Sequence, residues 1–97
     1  MKRLFKVVFM EDARQFLFQL EDKIRRKVIS KIDVATYTRD PSVFKKLQSD
    51  IWKFRIRFGR YQIRVLAFWD KRNKKQTLVI ATHGFIKDQQ KTPQKRN

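Results

Sequence analysis

The sequence predicts one α+β domain: a strand, two antiparallel helices, then three further strands. Three observations carry that reading. A chain of 97 residues can bury one hydrophobic core but not two. Between Glu11 and Ala35 apolar residues recur at the spacing of a helix burying one face. From Trp52 onward the period switches to two, the alternation of a half-buried strand. Two glycines and two prolines are too few for a disordered chain, and nine phenylalanines with two tryptophans supply core material.

Taken in order, Leu4 to Phe9 reads as a short strand rich in Val and Phe. Glu11-Asp12 then places negative charge where a helix starts, favourable against the macrodipole. Ala13, Phe16, Leu17 and Leu20 follow as the first helix's apolar stripe. After a tight Glu21-Asp22 corner, Asp22 reads as the cap of a second helix, with Ile24, Val28, Ile32 and Ala35 inward. Its opposite face carries Lys23, Arg25, Arg26, Lys27 and Lys31. Asp40-Pro41-Ser42 breaks this helix, because proline disfavours helical geometry in the residue before it. Val43 to Leu47 reads as one short turn. Trp52, Phe54, Ile56 and Phe58 then alternate with Lys53, Arg55 and Arg57, and after Gly59-Arg60 come Tyr61, Ile63 and Val65 alternating with Gln62 and Arg64. A polar loop from Lys71 to Gln76 leads to a last strand, Thr77 to Thr82, at whose end His83 stands; residues 87–97 read as a basic tail of the same domain.

Composition narrows the function. The chain has 25 Lys and Arg against 9 Asp and Glu, a formal net charge of +16. Such an excess attracts polyanions over long range, which puts nucleic acid ahead of an acidic protein or an anionic membrane as partner. With no cysteine there is no disulfide framework and no thiolate metal site, which fits a reducing cytoplasm, and a single histidine argues against a histidine-rich metal centre. The apolar run at Leu4 to Met10 is interrupted by Lys6 and too short for a signal peptide, and no run approaches a membrane span. A soluble cytoplasmic protein without a membrane partner is the expectation.

The hairpin is the most informative stretch. Gly59-Arg60 fits a two-residue loop with glycine at the position that needs positive φ. Counting outward pairs Phe58 with Tyr61, Arg57 with Gln62, Ile56 with Ile63, Arg55 with Arg64 and Phe54 with Val65. Every apolar residue then meets an apolar one and every polar residue a polar one, which supports the register. Arg55 lies directly across from Arg64, with Arg57 nearby. Like charges in that relation are destabilising, so the natural partner of this face is an anion unless carboxylates from elsewhere neutralise it. Guanidinium forks on rigid strands suit phosphate.

The stretch FKKLQSDIWKFRIRFGRYQIRVLAFWD, followed by HGFIKDQQKTP, resembles HigB-type toxins of bacterial toxin–antitoxin modules, in the phage-derived Gp49-like branch of the RelE/ParE superfamily. The Trp-x-x-Arg-x-Arg strand, the hairpin with Arg64 and the ending after His83 carry the resemblance. It implies a small antiparallel sheet of about four strands with two N-terminal antiparallel helices packed on one face. It further implies a ribosome-dependent mRNA endoribonuclease that works without a metal or cofactor. Its implied partners are a cognate helix-turn-helix antitoxin and mRNA on the ribosome, with operator DNA reached only through the antitoxin. In that chemistry a ribose 2′-hydroxyl attacks the adjacent phosphate, which requires a base, an acid and cationic donors for the phosphorane.

By the resemblance, Arg55, Arg57 and Arg64 stabilise the transition state. His83 is a candidate base or acid, since imidazole titrates near neutrality, and Lys46 and Lys87 lie near positions where relatives place further basic catalytic groups. Lys45, Lys46, Lys53, Arg60, Lys91 and Lys95 are candidate RNA contacts. Gly84 and Phe85 follow His83 where many relatives carry a catalytic tyrosine or acid, so the general acid has no assignment. Plainer roles stand beside these: His83 as a strand-end histidine bonded within the fold, the tail lysines as solvated charges, and Trp52 and Phe54 as core. Two other functions fit the same fold and charge, a ParE-type gyrase-inhibiting toxin and a non-toxic RNA-binding module.

Overall fold

The computed structural model describes residues 2–72 and 77–88, the side chain of Asp88 excepted. Its elements run β1 (Lys6–Phe9), α1 (Glu11–Gln19), α2 (Asp22–Thr38), β2 (Phe44–Gln48), β3 (Ile51–Phe58), β4 (Tyr61–Trp69) and β5 (Leu78–Asp88). The strands form one sheet in the order β1-β5-β4-β3-β2. The α+β class and the two helices packed against the sheet are as predicted, but the sheet is mixed and has five strands. β1 pairs parallel with β5, so the first and last strands are neighbours.

Helical spacing places the predicted stripe inward: Ala13, Leu17, Leu20, Val28, Ile32 and Ala35 are buried, with Phe16 and Ile24 packed at the margin. They meet Phe54, Ile56, Ile63, Val65, Val79 and Ala81 from one face of the sheet. Asp22 does not cap α2; the N-cap is Glu21, with no side-chain cap bond. Asp22 instead begins the helix and ion-pairs with Arg25 and Arg26. α2 ends on Arg39 in the left-handed conformation, φ 54°, whose N–H donates to the Ala35 carbonyl. The Arg39 guanidinium lies 5.1 Å and 5.8 Å from the ring centroids of Trp69 and Trp52.

The segment expected as a turn, Val43 to Leu47, is largely edge strand β2. Its anchor is Phe44, whose ring stacks on Phe54, Trp52 and Phe5 at centroid distances of 4.6, 4.7 and 5.1 Å. Lys45, Lys46, Leu47 and Gln48 stay exposed, and a register shift lies between Lys46 and Gln48. A short, bulged, lysine-bearing strand is how a sheet edge avoids pairing with other chains.

The hairpin register is the predicted one at all five pairs. Gly59 has φ 60° and Arg60 does not have positive φ, the pattern of a two-residue loop with glycine first. The last strand departs from expectation: β5 runs through to Asp88, so His83 lies inside a strand rather than at its end, and Lys87 belongs to the sheet rather than to a tail. Residues 73–76 of the anticipated loop, together with Lys91 and Lys95, lie outside the described residues. Among the described residues no helix is long and apolar enough to cross a membrane.

Candidate nucleic-acid interface

One face of the sheet carries the helices; the other carries the hairpin arginines. Residues directly paired across strands share a face, so the register lays this open face out in rows. One row is Lys45, Lys53, Leu66 and His83, from β2 to β5. The next is Arg55, Arg64 and Phe85, and the one after it Arg57, Gln62 and Lys87. At the opposite end lies an apolar row, Val8, Ile80, Phe68 and Ile51.

A bulge aims β5 at this arrangement. Ala81 is buried on the helix side and pairs with Ala67, whereas His83 pairs with Leu66, leaving Thr82 as the extra residue. Without that extra residue His83 would share Ala81's face, because strand side chains alternate with period two. The bulge therefore turns His83, Phe85 and Lys87 to the open face and Gly84 to the helix side. The Thr82 hydroxyl lies 3.3 Å from the Leu66 carbonyl and 3.2 Å from His83 Nδ1.

The centre of the face is cationic without compensation. Among the described residues, the ion pairs engage Asp33 with Arg3, Glu11 with Arg14, Asp22 with Arg25 and Arg26, Asp50 with Lys71, and Asp70 with Arg72. Lys45, Lys53, Arg55, Arg57, Arg64 and Lys87 have no carboxylate partner in that set. Arg64 Nη2 donates to Gln62 Oε1 at 2.8 Å, but its Nε is buried with no acceptor. Lys53 is nearly as enclosed, 9% exposed. Burial, then the charges of Arg64, Arg55, Lys45 and Lys87, hold its ammonium below the usual lysine range.

The predicted residues thus separate into groups. Arg55 and Arg64 face each other, and Lys53 and His83 are diagonal neighbours of Arg64, about 7–8 Å between Cα atoms by sheet geometry. His83 also lines a depression with Met10, Glu11, Asp12 and Thr82, on the side away from the arginines. Lys46 pairs with Trp52 and so has the parity of the opposite face. Arg60 sits in the hairpin loop with its guanidinium 5.3 Å from the Tyr61 ring centroid. Beyond the end of β2 the arginine rows open into a cleft with Lys27, Lys31 and Ser42 on one wall and Arg55, Arg57 and Gln62 on the other. The apolar row went unread in the sequence, although Leu66 and Phe68 stand at the polar-face positions of β4's alternation.

The profile of phage-derived Gp49-like proteins matches residues 15–96. The chain belongs to the Gp49-like family. The matched span takes in the second half of α1, all of α2 and every strand of this Gp49-like chain except β1. No curated protein sequence matches it. Among solved structures it is similar to a chain of the RelBE2 toxin–antitoxin complex from Mycobacterium tuberculosis, with TM-score 0.58 and 23% identity over 86% of this chain and 98% of that one. It is also similar to a chain of the archaeal RelE–RelB complex from Pyrococcus horikoshii OT3, with TM-score 0.58 and 16% identity over 92% of this chain and 99% of that one. At these identities the likeness is one of fold, and the Gp49-like chain shares that fold.

Proposed function

We propose that this Gp49-like protein is the toxin of a type II toxin–antitoxin pair and acts as a metal-free, ribosome-dependent mRNA endoribonuclease. The observation that carries the reading is the uncompensated cation cluster on the open face, with Arg55 directly across from Arg64 and no carboxylate among the described residues to neutralise them. A site for a phosphorane needs fixed donors of this kind, set on strands rather than loops. Of the two solved complexes it resembles in fold, one is a toxin–antitoxin complex and the other pairs RelE with RelB, which supports a cognate antitoxin here. A helix-turn-helix protein is the expected type, with an acidic segment for the open face.

In this mechanism the 2′-oxygen loses its proton and attacks the adjacent phosphorus, the bond to the 5′-oxygen breaks, and that oxygen takes up a proton. The products are a cyclic phosphate and a free 5′-hydroxyl. Arg55 and Arg64 bracket the phosphate, Arg57 and Lys87 hold the flanking backbone, and His83 is the proton-transfer group diagonal to Arg64. Phe85, 42% exposed beside Arg64, offers a flat apolar surface to a base.

The test is cleavage of a defined message on translating ribosomes by the purified protein, with the new ends mapped as 5′-hydroxyls. Arg64→Ala should lower the cleavage rate about 10²–10³-fold, the usual effect of losing one transition-state donor, with little change in Tm. A folded parent protein that leaves the message intact overturns the nuclease reading. Growth arrest with a DNA-damage response but no message cleavage would identify a gyrase poison instead.

A further inference from the structure

Among the described residues, two cationic groups at the centre of the open face have no counter-charge. Lys53 is 9% exposed as a residue, its ammonium still reaching the surface, and it has no ion pair or hydrogen bond among the described residues. Arg64 Nε is buried and has no acceptor. Buried charges in folded proteins are normally paired, because the desolvation cost is large. Every neighbour of Lys53 makes the deficit worse or leaves it unchanged. β2 contributes Lys45 directly across from it, its own strand Arg55, β4 Leu66 and Arg64, and β5 Lys87 and His83. No described carboxylate faces it.

We propose that Lys53 and Arg64 form the centre of a tetrahedral-oxyanion site for a nucleic-acid backbone phosphate, and that filling the site draws a proton onto Lys53. This rests on the face assigned above to RNA, not on cleavage. Without a bound anion, burial and four surrounding cations hold the Lys53 ammonium below the usual lysine range. An anion bound between Lys53 and Arg64 opposes that field, so the ammonium holds its proton to higher pH and also donates to the anion. The Arg64 Nε–H gains its missing acceptor in the same event.

The signs follow directly. At a pH below the free-state midpoint Lys53 is already protonated, so binding takes up nothing. Between the free and bound midpoints each anion brings up to one proton with it, and affinity falls as pH rises through that window. In the empty protein the same displacement makes the folded chain bind this proton less readily than the unfolded chain, whose lysine titrates near 10.5. Stability therefore rises with pH between the lowered midpoint and that value. Lys53→Met, which removes a charge set among like charges, should raise Tm at neutral pH, and its advantage should fade as pH climbs into that window.

The experiment is an NMR titration of isotope-labelled lysine side chains in the whole protein. It is run alone, with sulfate, which stays fully ionised throughout, and with a deoxydinucleotide, whose single phosphodiester has no neighbouring 2′-hydroxyl to attack it. Lys53 should titrate below the usual lysine range in the free protein, and its midpoint should move upward with either anion. Calorimetry in two buffers of different ionisation heat should show proton uptake in the parent, and binding without uptake in Lys53→Arg. A midpoint that neither anion moves overturns the proposal, as does uptake that persists in Lys53→Arg. A response to sulfate but not to the dinucleotide would mean an adventitious ion only and overturns the phosphate assignment. Normal titration with no message cleavage would sink the nuclease reading alone; cleavage with an immobile Lys53 midpoint would sink this proposal alone.

Discussion

Asp70 shows how this chain treats a buried charge when it does supply a partner. It is 7% exposed, accepts from the Arg72 backbone N–H at 3.0 Å and from Arg72 Nη2 at 2.7 Å, and its carboxyl is lowered to about 2. The Arg72 side-chain bonds are the leading cause, followed by the backbone bond. Since the ordinary value is 3.8, the contribution to stability is complete above that pH and is lost as pH falls through about 2. Asp70→Asn should therefore flatten the acid limb of a Tm-versus-pH curve between those limits. The effect should shrink in salt, because Arg72 is 85% exposed. An acid limb unchanged in the variant would remove Asp70 from the account. Lys53 is the opposite case, and the sequence hid it. Alternation assigned it to the polar face, and polar-face residues are normally wet. Here long side chains from three strands crowd the face, so position on the face did not report exposure.

β5 is the element whose reading changed most. The sequence reading ended this strand at Thr82, before Gly84, and glycine inside a strand generally weakens it. In the structure it is needed inside one: a Cβ at this position would run into the Phe16 ring of α1. Gly84→Ala should cost about 1–3 kcal/mol by overpacking, and Phe16→Leu in the same chain should recover much of it. Denaturant midpoints of the two singles and the double measure the coupling, and simple additivity would mean that the contact does not set the cost. The Thr82 bulge was equally invisible, because nothing in Ala81-Thr82-His83 marks an extra residue, yet it decides which way His83 points. By contrast the hairpin was readable to the residue, because a two-residue loop fixes register and one slip would have buried Arg55 and Arg64. β2 was missed for want of a pattern: only Phe44 of its five residues is buried.

At the scale of the molecule, the +16 charge is unevenly spent. Several arginines serve local ion pairs on the helices and loops, while Lys45, Lys53, Arg55, Arg57, Arg64 and Lys87 gather on one sheet face. If all six neutralise backbone phosphates, binding of a short single-stranded RNA should fall with salt at a log–log slope of about −4. A slope near −1 in a fluorescence-anisotropy titration would confine RNA to one or two of them. The charge and its preference for polyanions were legible from composition alone. The segregation of this face into a basic end and the Val8–Ile80–Phe68–Ile51 row was not, because it depends on β1 lying beside β5, a pairing between the two ends of the fold that no local pattern records.

That pairing also dictates an order of assembly. β5 lies between β1 and β4, so until Leu78–Asp88 has been synthesised the first strand has no neighbour to bond with and the hairpin has one unpaired edge. The third wall of the cation cluster, Phe85 and Lys87, arrives on that same strand. Contacts of such long sequence separation form late and slowly. A nascent chain stopped short of β5 is therefore not a weaker version of the finished protein but two disconnected parts of a sheet, and the face that would act on RNA is completed last.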